Sequence, residues 1–265
     1  MWHLLGSWHV ASFTESLQPT LDRPRCRVRG VYAGLPNTRQ ADQERSGAQV
    51  DVVDWRPELM NATIDVLSRA FAKSPIHLAA FGADSVVERN RVFFRVGLPL
   101  FRGRRLVAMD GPKVVGFMHW VESPGCQFSL GQKVSSIPSM FRGFGLRSTL
   151  RVSSWLAAWA QNDAAGLHWH LGPIGVDPEV QGKGVGRLLM SAYCSALDGK
   201  LASGFLETDK AENVAFYRRF GFEVVREVQV IGTTTFFMAR GGHVEKLKTP
   251  HLAGPSKPSG PHSSR

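Results

Sequence analysis

A glycine-rich turn carries the residue types that bind phosphate. Gly182, Gly184 and Gly186 lack a β-carbon, so the backbone can curl there with its N–H groups turned inward. The residues that follow predict a helix, whose unpaired first-turn amides and positive dipole end face the same point. Lys183 and Arg187 place positive charge beside it. The turn therefore predicts a binding site for an ADP-like pyrophosphate.

Two common nucleotide-binding motifs use such turns, but their spacing is absent here. A Walker loop needs a glycine five residues before its Gly-Lys pair and a Ser or Thr after the lysine. This chain has Asp177 and Gly184 at those positions. A Rossmann fingerprint needs a third glycine where Arg187 stands. The turn must therefore serve another class of phosphate site.

The run from Gln181 to Gly186 resembles the Q/R-x-x-G-x-G/A loop of the GNAT superfamily of N-acetyltransferases. A second segment adds to the resemblance, because Asn213 and Tyr217 stand in a predicted helix as they do in that superfamily, followed by Gly221-Phe222. An Asp209-x-x-Glu212 pattern predicts a capping box at the start of this helix. Closer similarity to the puromycin N-acetyltransferase branch spans about residues 48–240 and is carried by Leu206-Glu207-Thr208, Phe216-Tyr217 and Phe236-Phe237-Met238. That branch acts on many amines, so it does not identify the acceptor.

The resemblance implies an α/β fold with a mixed, mostly antiparallel central sheet and flanking helices. Two parallel strands, assigned to 168–176 and 203–208, are expected to splay apart and admit acetyl-CoA as cosubstrate. Pro173 lies inside the first strand, where it cannot donate a ladder hydrogen bond, and this predicts a β-bulge. The residues expected to contact the cosubstrate are Ile174, Gly175, Val176, Gln181, Gly182, Lys183, Gly184, Val185, Gly186, Arg187, Asn213 and Tyr217.

Acetyl transfer to an amine needs a base for the nucleophile and a proton for the departing thiolate. His168 and His170 alternate onto one face of the strand that leads into the loop, and His170, nearer the thioester, is the candidate base. Tyr217 is the candidate acid, because a phenol with a pKa of about 10 can donate to a thiolate. Glu207 is a candidate for binding the cationic acceptor or for sharing the role of base. The alternatives are a satisfied polar face for the histidines, a buried aromatic for Tyr217 and a loop cap for Glu207.

A metal site is a further interpretation of the histidines. The H-x-H pattern of His168 and His170 binds zinc on some strands, and His119 is predicted on another strand. Since no matching carboxylate or cysteine cluster is evident, no metal is expected. Cys26, Cys126 and Cys194 are odd in number and lack CxxC spacing, which indicates reduced thiols.

The sequence pattern divides the chain into a flexible extension (1–47), an N-acetyltransferase domain (48–240) and a disordered tail (241–265). Within the domain, strands are predicted at 50–53, 105–109, 114–121, 222–230 and 233–238. Helices are predicted at 57–72, 85–96 and 137–161, the last of them amphipathic. Two hairpins are expected, one with a type I′ turn at Asp110-Gly111 and the other turning at Ile231-Gly232.

Composition favours one large domain with tails, since the 265 residues are 43% hydrophobic and 20% charged. No apolar run approaches the roughly 20 residues that span a membrane, and the N-terminus lacks the features of a secretory signal. We therefore expect a cytoplasmic protein. Much of the net charge of +10 lies in the two terminal segments. The function predicted is acetyl transfer from acetyl-CoA to a small-molecule amine, with a protein amino group as an alternative acceptor. A catalytically silent acyl-CoA-binding module and a basic nucleic-acid-associated protein are the rival functions.

Overall fold

The computed structural model describes residues 50–241, in which seven strands form one sheet. The strand order is β1-β2-β3-β4-β5-β7-β6, and β4 and β5 pair in parallel while the other neighbours are antiparallel. The strands are β1 Val50–Asp54, β2 Arg104–Asp110, β3 Lys113–Glu122, β4 Trp169–Val176, β5 Gly204–Thr208, β6 Glu223–Val230 and β7 Thr233–Arg240. The predicted mixed, mostly antiparallel sheet is confirmed. The extension 1–47, with Cys26, and the tail beyond Gly241 lie outside the described residues.

Helices cover both faces of this sheet. They are α1 Met60–Ala70, α2 Pro75–Phe81, α3 Val86–Gly97, α4 Leu130–Gln161, α5 Val185–Lys200 and α6 Ala211–Arg218. Val107 and Phe117 pack with α1 and α3, whereas their strand neighbours Ala108 and Met118 pack with α5. Because side chains alternate along a strand, these two cores lie on opposite faces. None of the described helices combines the length and the apolar character needed to cross a membrane.

Both predicted hairpins form, but the first has a different turn. Asp110 pairs with Lys113, so Gly111 and Pro112 are the central residues of the turn. A type I′ turn needs positive φ at both central positions, and the proline ring excludes it at the second. The prediction of a type I′ turn there is therefore wrong. At the second hairpin, Ile231 (φ 45°) and Gly232 (φ 85°) do have positive φ.

The long insert between β3 and β4 is more helical than its sequence pattern predicts. α4 begins at Leu130, before the predicted 137, because Ser129 and Gln132 form a capping box. The helix is interrupted at Gly145, whose backbone is not helical. The predicted amphipathic face packs against α2 and α3, where Trp155 is buried. The short helix α2, which the periodicity did not predict, completes this layer.

The predicted β-bulge interrupts β4. Trp120 pairs with Leu171 and Met118 with Ile174, so Gly172 and Pro173 together oppose a single residue of β3. Leu171 is also the last residue of β4 that pairs with β5. The two parallel strands therefore separate at the bulge, and β4 continues with one edge unpaired by β5.

Asp177 holds the end of β4 against α1. Its buried side chain accepts a hydrogen bond from Arg69 Nη2 at 2.7 Å and a second one from the Glu179 N–H at 3.2 Å. Burial by itself raises the pKa of the Asp177 carboxyl, but these hydrogen bonds and the Arg69 charge outweigh burial and lower it. A carboxyl whose pKa is lowered on folding stabilises the protein above its unfolded pKa of about 4, and this is lost as pH falls through the folded pKa.

Replacing Arg69 with alanine is therefore expected to lower the free energy of unfolding at pH 7 by about 1–2 kcal/mol. The expected loss is modest because the Arg69 side chain is 40% exposed and water screens the ion pair with Asp177. The loss should shrink as pH falls below about 4 and should vanish below the lowered pKa of folded Asp177, where the carboxyl is protonated in both states. Urea denaturation across this pH range measures it. Arg91→Ala, which breaks an exposed pair with Asp65, is the matched control. Equal losses in the two variants at pH 7 would contradict the role of Asp177.

Candidate active site

A cavity of about 660 Å³ lies where β4 and β5 separate. Its walls come from the end of α1, the unpaired part of β4, the glycine-rich loop and α6. The predicted cosubstrate residues that line it are Ile174, Gly175, Val176, Gln181, Gly182, Gly184, Gly186, Arg187, Asn213 and Tyr217. Lys183 does not line it, and Val185 is buried in the core. The structure thus brings most of these residues together, and their role in binding a cosubstrate stays a prediction.

The glycines of the loop serve two different purposes. Gly182 (φ 79°) and Gly184 (φ 89°) have left-handed backbone that strains other residues, and Gly184 is the N-cap of α5. A β-carbon at Gly186 would instead lie 3.6 Å from Phe216 and 3.8 Å from Val176, so glycine there leaves room in the cavity. The first turn of α5 has no acidic residue and no side-chain cap. Its amides are therefore available to an anion.

Tyr217 lines the cavity from α6 and is only 5% exposed. Burial raises the pKa of its phenol, and the nearby Asp209 carboxylate raises it further. The phenol therefore keeps its proton at neutral pH. Asn213, one turn earlier, donates from Nδ2 to Thr208 Oγ1 at 3.2 Å, which ties α6 to the end of β5.

The capping box predicted from Asp209 and Glu212 does not form. The N-cap of α6 is Lys210, and it makes no side-chain capping hydrogen bond. Asp209 Oδ2 instead accepts from Ser74 Oγ at 2.5 Å and from the Ile76 N–H at 2.7 Å. The carboxylate therefore satisfies the N-terminus of α2, which the local sequence pattern could not indicate. Asp209 and Ser74 both line the cavity.

Asp209→Ala is expected to reduce the free energy of unfolding by about 1–3 kcal/mol, because a hydroxyl and a backbone amide of α2 lose their charged acceptor. Chemical denaturation measures the change. Asp198→Ala serves as control, since Asp198 is 64% exposed and pairs with Arg240 at the surface. If the two variants lose the same stability, Asp209 does not anchor α2.

The two other candidate catalytic residues contact each other outside the lining of the cavity. His170 Nε2 lies 2.9 Å from Glu207 Oε2, and the Glu207 side chain is 3% exposed. Within the described residues, Glu207 Oε1 is buried without a hydrogen-bond partner. Burial by itself lowers the pKa of His170, but the Glu207 carboxylate and the neighbouring Asp163 and Cys126 raise it well above the ordinary value. The catalytic roles of His170 and Glu207 stay predictions.

Sequence reasoning assigned no role to two residues that the structure places beside the histidines. Cys126 and Asp163 flank α4, and their ligand atoms lie within 4.8 Å of those of His168 and His170. His119 is not part of this cluster, and its Nδ1 lies 2.7 Å from the Gly172 carbonyl oxygen. The expectation of no metal depended on the absence of a matching carboxylate or cysteine, and that reason no longer holds.

A family model described as "Acetyltransferase (GNAT) domain" matches residues 152–224, which include the glycine-rich loop, α5, β5 and α6. A solved structure from Corynebacterium glutamicum, titled histone acetyltransferase HPA2 and related acetyltransferase, aligns with a TM-score of 0.53 and 18% identity over 72% of this chain and 94% of that one. The polyamine N-acetyltransferase of Drosophila melanogaster aligns with a TM-score of 0.51 and 9% identity over 73% of this chain and 100% of that one.

The family match coincides with the part of the chain that supplies the loop and Tyr217, and the structural matches extend the likeness to the sheet. Because the sequence identities are only 18% and 9%, these two alignments show similarity of fold alone. Residues 152–224 therefore match the family model of a GNAT acetyltransferase domain, and the fold of the chain is similar to those of two acetyltransferases of known structure.

Proposed function

We propose that this protein transfers an acetyl group from acetyl-CoA to an amine. One observation carries the proposal: the start of α5, whose first turn has no acidic residue and no side-chain cap, and the buried Tyr217 line the same cavity, at the point where two parallel strands separate. The family segment that contains both features supports acetyl transfer. The amine as acceptor follows from the sequence resemblance to N-acetyltransferases.

The cavity suits the extended shape and charge of acetyl-CoA. The pyrophosphate would bind at Gly182 and Gly184, where the amides of α5 meet no acidic side chain. The pantetheine would follow Ile174, Gly175 and Val176, the stretch of β4 that does not pair with β5. A free strand edge offers N–H and C=O groups to an extended ligand.

Tyr217 and the Glu207–His170 pair would divide the proton transfers. The amine nitrogen attacks the thioester carbonyl carbon, the C–S bond breaks, and Tyr217 donates its phenolic proton to the leaving sulfur. We assign acceptance of the amine proton to Glu207, which would receive it through a water because Glu207 does not line the cavity; its Oε1 is buried and unpartnered within the described residues. His170 holds the other carboxylate oxygen at 2.9 Å. Glu207 lies two residues before Asp209, which lines the cavity, so Glu207 is close to the cavity wall.

Two measurements test this function. Calorimetric titration with acetyl-CoA should show binding, and release of free thiol should then depend on an added amine. The acceptors tested are small primary amines, each compared with the alcohol of the same carbon skeleton, and a peptide with a free amino terminus, compared with its acetylated form. Thiol release with amines alone supports the proposal. Binding of acetyl-CoA without thiol release for any acceptor would indicate a catalytically silent acyl-CoA-binding module. Absence of acetyl-CoA binding would overturn the proposed acetyltransferase function.

A further inference from the structure

Four side chains with metal-binding chemistry meet beside β4, outside the lining of the cavity. Cys126 lies in the turn before α4, Asp163 follows α4, and His168 and His170 stand at the start of β4. One ligand atom from each lies within 4.8 Å of the others. We propose that these four residues bind a single zinc ion, which fixes both ends of α4 to the central sheet.

The two histidines present free nitrogens to one point. His168 Nδ1 lies 2.9 Å from the Gly166 carbonyl oxygen, which can accept only from an N–H. The opposite nitrogen, Nε2, lies 3.1 Å from Asp163 Oδ1 without hydrogen-bond geometry. His170 repeats this arrangement, with Nε2 paired to Glu207 and Nδ1 3.4 Å from the same Asp163 oxygen. Both unpartnered nitrogens are buried, and each imidazole, in the neutral form that binds a metal, would direct a lone pair at the cluster once the ion displaces its proton.

Metal-bound histidines usually donate their other N–H to a carboxylate or a backbone carbonyl. The Gly166 carbonyl and the Glu207 carboxylate provide these acceptors here. Gln127 Nε2 also donates to Asp163 Oδ2 at 2.7 Å, which orients the fourth ligand. Each of these outer contacts is expected around a metal. They leave one nitrogen of each histidine without a partner, and Asp163 Oδ1, which accepts from the Ala164 N–H at 3.0 Å, keeps a second lone pair for an ion.

The separations of the ligand atoms suit a tetrahedral ion. Bond lengths of about 2.0–2.3 Å to zinc place neighbouring ligands roughly 3.3–3.8 Å apart. Asp163 Oδ1 lies 3.1 Å from His168 Nε2 and 3.4 Å from His170 Nδ1, and Cys126 Sγ lies 3.3 Å from the other carboxylate oxygen, Oδ2. The four ligand atoms lie within 4.8 Å of one another, so a bound ion would draw the most distant of them together by up to about 1 Å. One thiolate and two imidazoles favour zinc over magnesium or calcium, which prefer oxygen ligands. Four protein ligands are typical of a structural zinc site.

A catalytic Cys-His-Asp relay would use the same residue types in a different geometry. In a relay, one imidazole lies between the thiol and the carboxylate and contacts each through a different nitrogen. Here the second nitrogen of His168 contacts the Gly166 carbonyl, and that of His170 contacts Glu207. Neither imidazole bridges Cys126 and Asp163, and none of the four residues lines the cavity. The convergent arrangement fits a metal ion, whether or not the protein transfers acetyl groups.

Metal analysis of the full chain tests the site without any activity assay. Any histidine tag used for purification is removed before the measurement, because its histidines would bind metal in addition to the nine histidines of the chain. Elemental analysis of protein purified without chelator should give one zinc per chain. Chelator-stripped protein should take up zinc in competition with a chromogenic chelator, and cobalt should produce a thiolate-to-cobalt charge-transfer band.

Cysteine variants locate the ion. Cys126→Ser is expected to weaken zinc binding about 100-fold or more and to abolish the cobalt band. The double variant Cys26→Ser, Cys194→Ser leaves Cys126 as its one cysteine and should retain both properties. Chelator should lower the melting temperature of the parent and of this double variant, but not that of Cys126→Ser.

Three results would overturn the proposal: no zinc uptake by the stripped parent, equal zinc affinity in Cys126→Ser and the double variant, or no cobalt band in the double variant. The cobalt band remains a decisive test even if Cys126→Ser fails to fold, because it is measured on the double variant, which keeps all four proposed ligands. Circular dichroism establishes the folding of each variant.

Discussion

Replacing Tyr217 with phenylalanine is expected to lower kcat for acetyl transfer about 100- to 10,000-fold, the range typical of a lost general acid. The phenol lies in the cavity, and burial raises its pKa so that it holds a proton to donate. Within the described residues it makes no hydrogen bond that the substitution would break. The dissociation constant for acetyl-CoA should therefore change little, and the loss should appear in turnover.

Tyr193→Phe is the matched control, because it removes a phenol at another buried site. Tyr193 donates to the Trp169 carbonyl oxygen at 2.7 Å and does not line the cavity. Its loss should cost about 1 kcal/mol of stability and leave kcat unchanged. Thiol release gives kcat, and calorimetry gives acetyl-CoA affinity for both variants. If Tyr217→Phe keeps kcat within a few-fold of the parent, the leaving thiolate receives its proton from another group.

Replacing Gly186 with glutamate is expected to weaken acetyl-CoA binding about 100-fold or more. The new side chain would enter the space between Phe216 and Val176. It would also place a negative charge close to the proposed pyrophosphate, and like charges about 4 Å apart repel by several kcal/mol near a protein surface. Gly186 has no positive φ, so the substitution does not strain the backbone.

Gly199→Glu makes the same chemical change near the other end of α5. Gly199 is exposed, and no atom lies within 4 Å of a β-carbon built there. Both substitutions replace glycine by a better helix former, so their effects on helix propensity are alike. Calorimetry should show parental affinity in Gly199→Glu alone. Parental affinity in both folded variants would show that acetyl-CoA does not bind at the start of α5.

Local sequence determines the features that depend on a few adjacent residues. Gly182 and Gly184 supply the positive φ that the loop requires, and Pro173 marks the bulge because it cannot donate to a ladder. The two hairpins were predictable because Gly111 and Gly232 allow tight turns between apolar segments. Tyr217 was identified by its resemblance to a family motif, and that resemblance also implied the mixed, mostly antiparallel sheet and the separation of β4 from β5.

Tertiary structure decides which partner each polar group finds. Asp209 has a local capping pattern, yet it binds the start of α2, 135 residues from Ser74 in sequence. Glu207 raises the pKa of His170 from 37 residues away. Cys126 and Asp163 also lie 37 residues apart, and α4 separates them. Hydrogen bonds and charges act over a few ångströms in space, while sequence patterns record only neighbours along the chain. The loop could therefore be predicted from sequence, whereas the four-residue cluster could be found only in the folded protein.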